Sequence, residues 1–402
     1  MKQISQDRRR FLARVTAAIA QASGQALLAS QVTAPSPGPY RLEREFKATQ
    51  AKAISPDGGL LCLNRGTAIR RYKANFGGYF KRQATPARTL VLVEMGSWQE
   101  KLVRPLPESP WKASFQAGAS RLLIERYIPQ TQRLLLSPLT YEIEELNAPV
   151  VNEYFVSSML CDSDRLLEHE KSSASLKHPR HEETLRLLEI GPNRATREIG
   201  VLPKGCLNFW GGAKVAISLD RFTLVHQQED NRIVRRSTRN FEEIWAFPVA
   251  KDFEVAGLGI SPNGEFVVCN LDGKESLSYE ELSWRRQSIL VLDGATGRLR
   301  HQIDRKREDY GSNHTIAITN DGSLIAIESG SDMRWNGKRA DETLIQVIEA
   351  KTGRVLQTLL QCLTRDDDRL ASGISYLQFT PDGQYLVSSG ESTRIWKRVA
   401  RT

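Results

Sequence analysis

The chain lacks the short motifs that announce most enzyme chemistry. It has no G-x-S-x-G elbow, no Walker loop and no dinucleotide G-x-G-x-x-G fingerprint. No apolar run approaches the roughly 18 residues of a membrane-spanning helix. Cysteine is sparse and scattered. Cys62, Cys161, Cys206, Cys269 and Cys362 are an odd number without a C-x-x-C pair, so they suggest neither a disulfide framework nor a zinc site. Cys62 and Cys269 lie in apolar runs, where a thiol behaves as a small buried hydrophobe. Histidine is also scarce. His169, His178 and His181 fall together with Glu168, Glu170, Glu182 and Glu183. Imidazole and carboxylate can hold a metal, but this Ser- and Lys-rich stretch reads as a solvated loop, and no metal or other cofactor is expected. His314, just before an inner strand, reads as a hydrogen-bonded structural residue.

What is present fits a folded chain. Its 402 residues are 40% apolar and 26% charged, and that length suits several domains or one large repeat fold. The formal charge of +9 is uneven. Lys2, Arg8, Arg9, Arg10 and Arg14 against Asp7 give residues 1–40 about +4, leaving about +5 for the rest. Spread over some 360 residues, that is a weak electrostatic footprint and argues against a nucleic-acid partner.

The first 39 residues differ from the body. Arg8-Arg9-Arg10-Phe11-Leu12 resembles the twin-arginine export signal, R-R-x-F-L, and Ala20-Gln21-Ala22 offers an A-x-A cleavage site. Asp7 stands where that signal usually has Ser or Thr, and Arg14 interrupts the apolar stretch. The resemblance implies a periplasmic or secreted protein. The residues alone also allow a basic amphipathic helix, a tail on a cytoplasmic protein, or a transit peptide. Pro35-Ser36-Pro37-Gly38-Pro39 reads as a linker into a domain spanning 40–402.

One hairpin recurs along that domain. Ser55-Pro56-Asp57-Gly58, Ser261-Pro262-Asn263-Gly264, Thr319-Asn320-Asp321-Gly322 and Thr380-Pro381-Asp382-Gly383 each join two apolar runs. Pro presets the turn, Asp or Asn closes it with its own side chain, and Gly takes the positive φ. From Ser55 to Ser261 there is room for four units of about 51 residues. Weaker turns are expected near Ala117–Ser120, Cys161–Asp164 and Gly211–Lys214. A second hairpin follows each first one, as at 89–106, 184–199, 288–303 and 343–359, and more loosely in RLLLSPLTYEIEEL and EIWAFPVAKDFEV. Two hairpins per unit make four antiparallel strands, and seven such sheets make an all-β, seven-bladed β-propeller. The last unit stops one strand short after Thr393–Val399. Tyr40–Phe46 has no unit of its own, so it is expected to complete the last blade and close the ring.

The repeated S-P-D-G turns, with Arg394-Ile395-Trp396 and less clearly Ile244-Trp245 as strand endings, resemble the WD-repeat and bacterial S-P-D-G propeller families over about 40–400. No unit carries the Gly-His and Trp-Asp dipeptides together, so the likeness is one of architecture. It implies a non-enzymatic, monomeric binding or scaffold protein. Similar folds include lactonases, hydrolases and amine dehydrogenases, so the alternative is an exported enzyme with its site at the channel mouth. No convergent acid set supports one, and no catalytic residue is assigned.

Five connections between second and third strands read as long loops: 65–88, 168–183, 227–240, 272–287 and 329–342. Loop insertions gathered on one face suggest a binding surface. Arg70, Arg71 and Tyr79 lie in the first, Arg235 and Arg236 in the third, Trp284 in the fourth and Trp335 in the fifth. Arginine forks beside aromatic faces suit carboxylates, phosphates and interface hot spots. These seven residues are the predicted grip on a protein partner or an anionic surface. Glu275, Glu280, Glu281, Asp332 and Asp341 on the same segments would make a solvated, ion-paired face instead.

Overall fold

A computed structural model describes residues 38–66, 88–106, 111–118, 121–126, 132–146, 157–160, 165–171, 183–190, 196–202, 215–228, 230–273, 286–306, 315–335, 338–364, 374–390 and 392–399. They fall in one unit, Tyr40–Thr402, preceded by Gly38 and Pro39. The first strand, β1 (Tyr40–Phe46), opens it. Blade 1 is β2 (Thr49–Ile54), β3 (Leu60–Arg65), β4 (Arg88–Glu94) and β5 (Glu100–Leu106). Blade 2 is β6 (Trp111–Phe115), β7 (Leu122–Arg126), β8 (Gln132–Leu136) and β9 (Ile143–Leu146). Blade 3 is β10 (Ser157–Leu160), β11 (Arg165–Lys171), β12 (Glu183–Ile190) and β13 (Thr196–Val201). Blade 4 is β14 (Val215–Ile217), β15 (Thr223–Gln227), β16 (Arg232–Ser237) and β17 (Glu243–Pro248). Blade 5 is β18 (Phe253–Ile260), β19 (Phe266–Gly273), β20 (Arg286–Asp293) and β21 (Leu299–Lys306). Blade 6 is β22 (Ile316–Ile318), β23 (Leu324–Trp335), β24 (Lys338–Glu349) and β25 (Val355–Thr364). Blade 7 is β26 (Tyr376–Phe379), β27 (Tyr385–Ser389), β28 (Thr393–Arg398) and, on its outer edge, β1. All seven sheets are four-stranded and antiparallel, which is the expected seven-bladed β-propeller.

Alternation of side chains along each strand explains why the sheets stand face to face. Successive residues point to opposite faces, and here both faces are buried. Along β19, Val267, Cys269 and Leu271 join an apolar cluster with blade 4, while Val268 joins another with blade 6. Along β4, Leu90 and Leu92 pack toward blade 2, and Val91 and Val93 toward blade 7. Among the described residues there are seven such clusters, one at each step around the ring, including one that joins blade 6 to blade 7. A ring with an apolar cluster at every step has no uncovered end sheet.

The repeated turns form as their residues require. Gly58, Gly264, Gly322 and Gly383 have φ between +66° and +76°. Each donates its N–H to the carbonyl of the Ser or Thr three residues back, at 2.8–3.0 Å. The Asp or Asn before each Gly accepts a hydrogen bond from that hydroxyl and from a following N–H. Neighbouring turns are also tied together. Leu219 N–H donates to the Pro262 carbonyl at 2.9 Å, and Asn263 N–H to Asn320 Oδ1 at 2.8 Å. Asn320 Nδ2 reaches the Pro381 carbonyl at 2.6 Å.

Blade 4 departs from the sequence reading. Its first turn is Ser218-Leu219-Asp220-Arg221, not Gly211–Lys214, which lies outside the described residues. Arg221 takes the left-handed position at φ +67°. With neither Pro nor Gly, this turn carries only the Ser and Asp of the pattern. Three predicted loops also contain strand: 168–183 takes in the end of β11, 227–240 includes β16, and 329–342 is mostly the long pair β23–β24. EIWAFPVAKDFEV runs from the last strand of blade 4 into the first of blade 5, so it is a link rather than a hairpin.

The ring closes as expected. β1 pairs antiparallel with β28, from Tyr40 opposite Arg398 to Phe46 opposite Thr393. Tyr40 is buried, its ring 5.9 Å from that of Phe379, and its hydroxyl donates to the Gly383 carbonyl at 3.1 Å. Gln357 of blade 6 bonds both the N–H and the carbonyl of Tyr40, at 2.9 and 2.7 Å. Glu45 holds Arg394 at 2.9 Å. Tyr40→Ala removes a buried aromatic and should lower unfolding stability by about 3 kcal/mol. Leu42→Ala, on the same strand but exposed, should change it by less than about 0.5 kcal/mol. Denaturant midpoints of the two variants check this.

Candidate functional site

The innermost strands β2, β6, β10, β14, β18, β22 and β26 line the axis, and most touch the innermost strand of the next blade. The register places one polar residue at the same height in every blade. Leu61, Leu122, Leu166, Leu224, Val267, Ile325 and Leu386 are equivalent, each paired with the residue that precedes the first turn. Three residues further along each second strand stand Asn64, Glu125, His169, Gln227, Asn270, Glu328 and Ser389. The six with described side chains are all buried. Each lies on the face turned toward the next blade, above the apolar cluster, by the alternation that places Leu63 and Cys62 in different clusters.

Ser389 and Glu328 hold backbone toward the following blade directly, and Gln227 does so through Asn231. Ser389 Oγ accepts from Ala51 N–H at 3.0 Å. Glu328 Oε1 accepts from Ile374 N–H at 2.9 Å, while Thr315 Oγ1 donates to the Ile374 carbonyl at 2.8 Å. Gln227 Nε2 bonds Asn231 Oδ1 at 3.2 Å, and Asn231 Nδ2 in turn reaches the Val249, Ala250 and Phe253 carbonyls. Asn64 does not take part, since neither atom of its buried amide has a partner. Glu125 instead pairs with Arg133 at 3.2 Å, both buried.

At the turn end, groups from non-neighbouring blades meet, which in a ring happens only on the axis. Arg221 of blade 4 is buried, and its Nε donates to the Phe115 carbonyl of blade 2 at 2.9 Å. Its charge also acts on Tyr376 of blade 7, whose hydroxyl bonds Gln378 Oε1 at 2.8 Å. Burial pushes the Tyr376 phenol well above its ordinary range, against the pull of Arg221. These side chains meet near the axis on the turn face. Gln50 and Lys112 occupy the register position of Tyr376 in blades 1 and 2.

The predicted grip residues fare unevenly. Arg70, Arg71, Tyr79 and Trp284 lie outside the described residues, as do His178, His181 and His314. Trp335 ends β23, at the register position opposite Lys338. Arg235 and Arg236 sit on β16 rather than in a loop, and their guanidinium groups are engaged. Arg235 donates to the Gly294 carbonyl, which also takes the Trp245 indole N–H at 2.8 Å, and to Thr223 Oγ1 at 3.1 Å. Arg236 bonds His226 Nε2 at 3.1 Å, the Phe241 carbonyl at 3.0 Å and Glu243 at 3.4 Å. Both bind within the fold: Arg235 ties blade 4 to blade 5, and Arg236 bonds within blade 4. The sequence analysis missed Arg221 and the tier of buried polar residues. The tier has a visible signal, one polar residue ending each apolar run, as in LCLN, VVCN and IAIE.

On the face opposite the turns, the β23–β24 pair stands out. It runs twelve residues on each strand, against five to eight in the second strands of the other blades. Pairing continues to Trp335 opposite Lys338, four residues past the position where β19 ends. At about 3.3 Å per residue, the excess is roughly 13 Å.

No protein-family model matches the chain, and no curated protein matches it. Among 1395 matching chains of solved structures is the β-propeller domain of Cps50 (Swd1) from Myceliophteria thermophila. The match has a TM-score of 0.51 and 11% identity, over 90% of this chain and all of that one. At that identity the likeness is one of fold alone.

Burial raises the Glu328 carboxyl from its usual value near 4.5 to about 7, more than the Ile374 and Thr315 hydrogen bonds lower it. The folded chain therefore holds this proton more tightly than the unfolded one. The resulting stability is full below about pH 4.5 and is lost as pH rises through 7. Glu328→Gln keeps a neutral acceptor for Ile374. Its melting temperature should match that of the parent near pH 5 and exceed it at pH 8. A difference that stays constant with pH would reject this assignment.

Proposed function

We propose that the chain is a non-enzymatic, protein-binding β-propeller, exported by the twin-arginine route, that holds its partner on the loop face. The projecting β23–β24 ribbon of blade 6 carries this reading, because it lifts paired backbone about 13 Å above the neighbouring strand ends. At its end the sequence puts Trp335 beside Arg334, Lys338 and Arg339. An aromatic with flanking cations is the composition of a binding hot spot. A ribbon paired along its whole length also presents such an anchor at less entropic cost than a free loop. The WD-repeat-like architecture supports the same role. In the sequence, Arg70, Arg71 and Tyr79 fall between β3 and β4 and Trp284 between β19 and β20, and these residues form the rest of the proposed contact.

Removing Asp332–Trp335 and Lys338–Asp341 while keeping Asn336-Gly337 shortens the ribbon and leaves a favoured two-residue turn. The melting temperature should stay within about 2 °C of the parent, since the apolar clusters are untouched. Partners recovered by crosslinking in the native host should fall at least about tenfold, and Trp335→Ala should reproduce most of that loss. Undiminished recovery in both variants would remove the ribbon from the interface. For export, N-terminal sequencing should find a mature chain starting after Ala22, whereas an intact Met1 on the cytoplasmic protein would overturn that part.

A further inference from the structure

Among the described residues, the β23–β24 ribbon has one bare edge. In each sheet the first strand covers the inner edge of the second. In blades 1, 2, 5 and 7 that cover reaches the last residue of the second strand, as where Phe253 pairs with Gly273. In blades 3 and 4 it stops no more than two residues short, after His169 and His226. In blade 6, β22 pairs only with Ile325–Ile327, and one further bond runs from the Glu328 N–H to the Thr315 carbonyl at 3.0 Å. Ser329–Trp335 then continue for seven residues with no described strand beside them on that side. On the other side β25 covers β24 as far as Asp341.

The register decides which backbone groups lie on this edge. Along an antiparallel strand, successive residues bond alternate neighbours. The β23–β24 pairing runs without a shift from Leu324 to Trp335, and Glu328 bonds toward β22. Gly330, Asp332 and Arg334 therefore turn their N–H and C=O groups to the bare edge, while Ser331 and Met333 bond β24. An unpaired edge of this length is a template for another strand, and proteins blunt such edges with Pro, a bulge or charge. Ser329–Trp335 has no Pro and no bulge, and its two charges are opposite in sign. Such a pair excludes most strands and favours one of matching pattern. The ribbon also sets like against like: Arg334 stands opposite Arg339, and Asp332 opposite Asp341. Like charges directly opposed are unfavourable, and a strand bearing the opposite signs relieves both.

We propose that the partner adds an extended peptide segment to this edge as a new β-strand. The segment carries an acidic residue opposite Arg334 and a basic residue opposite Asp332, with an apolar residue between them opposite Met333. Residues two apart in a strand share a face, so an extended chain presents both charges to the same side of the ribbon. Main-chain bonds to Gly330, Asp332 and Arg334 supply the affinity, and the two charges set the register. This inference rests on the protein-binding reading of the ribbon and states how the partner is held there.

Random peptides displayed on phage and panned on the full chain test the edge. Enriched sequences should carry an acid and a base two residues apart around an apolar residue. Synthetic copies should bind the parent and lose about tenfold or more with Asp332→Pro, which removes an edge N–H and leaves the bonds to β24 in place. Asp332→Asn keeps that N–H and should cost no more than about fivefold. Residue-resolved hydrogen exchange gives a second reading that needs no variant. In the free chain the amides of Gly330, Asp332 and Arg334 should exchange fast and those of Ser331 and Met333 slowly, and the peptide should protect the first three. Absence of the enriched pattern would overturn the proposal, as would parental affinity in Asp332→Pro. Slow exchange at all five amides in the free chain would put a segment of this chain on the edge and overturn it too. Peptides that bind Asp332→Pro but not Trp335→Ala would keep the ribbon as the interface and remove only the added strand.

Discussion

The structure rests on sheets that are apolar on both faces and therefore cannot be stable singly. Leu61 and Cys62, adjacent on β3, enter different clusters. So do Ile289 and Leu290 on β20. Each blade thus needs a neighbour on either side, and only a closed ring supplies one to every blade. The antiparallel pair β1–β28 is the contact that makes this possible. The other blades are built from consecutive strands, whereas blade 7 is assembled from both ends of the unit.

Polar groups decide how the apolar interfaces end. Among the described side chains, six blades each place one buried polar residue above the cluster, and in blades 6 and 7 it grips the backbone leading into the next blade directly. This fixes the height of neighbouring blades, which interchangeable aliphatic contacts would leave loosely set. The arrangement also accounts for Arg235, Arg236 and Arg221. Charged groups are held inside the ring where a carbonyl or carboxylate from the fold meets them.

Much of this was legible because the signals were stereochemical. Gly58, Gly264, Gly322 and Gly383 announce themselves, since a positive φ after Pro-Asp, Pro-Asn or Asn-Asp leaves little choice of residue. The unmatched strand Tyr40–Phe46 was legible by counting. Blade 4 was misread because Arg221 occupies the left-handed position that glycine holds elsewhere, so its turn is marked only by Ser218 and Asp220. Arg235 and Arg236 were misread because a run of arginines resembles a solvated loop. In β16 the consecutive residues Ile233 and Val234 bury both faces of the strand, and both arginines find acceptors within the fold. Nothing in local pattern could show that Arg221 reaches Phe115, more than a hundred residues away. That contact exists only once the ring has formed.

The strap that closes blade 7 also imposes an order in time. Tyr40 leaves the ribosome long before its partner Arg398, and at 5–20 residues per second the interval is roughly 20–70 s. For that period β1 has no strand to pair with, and the apolar side of blade 1 that will meet Val387 and Ile395 stays uncovered. Any chaperone that shields the nascent chain has its clearest task on that one surface, and is released from it when translation delivers the last strand.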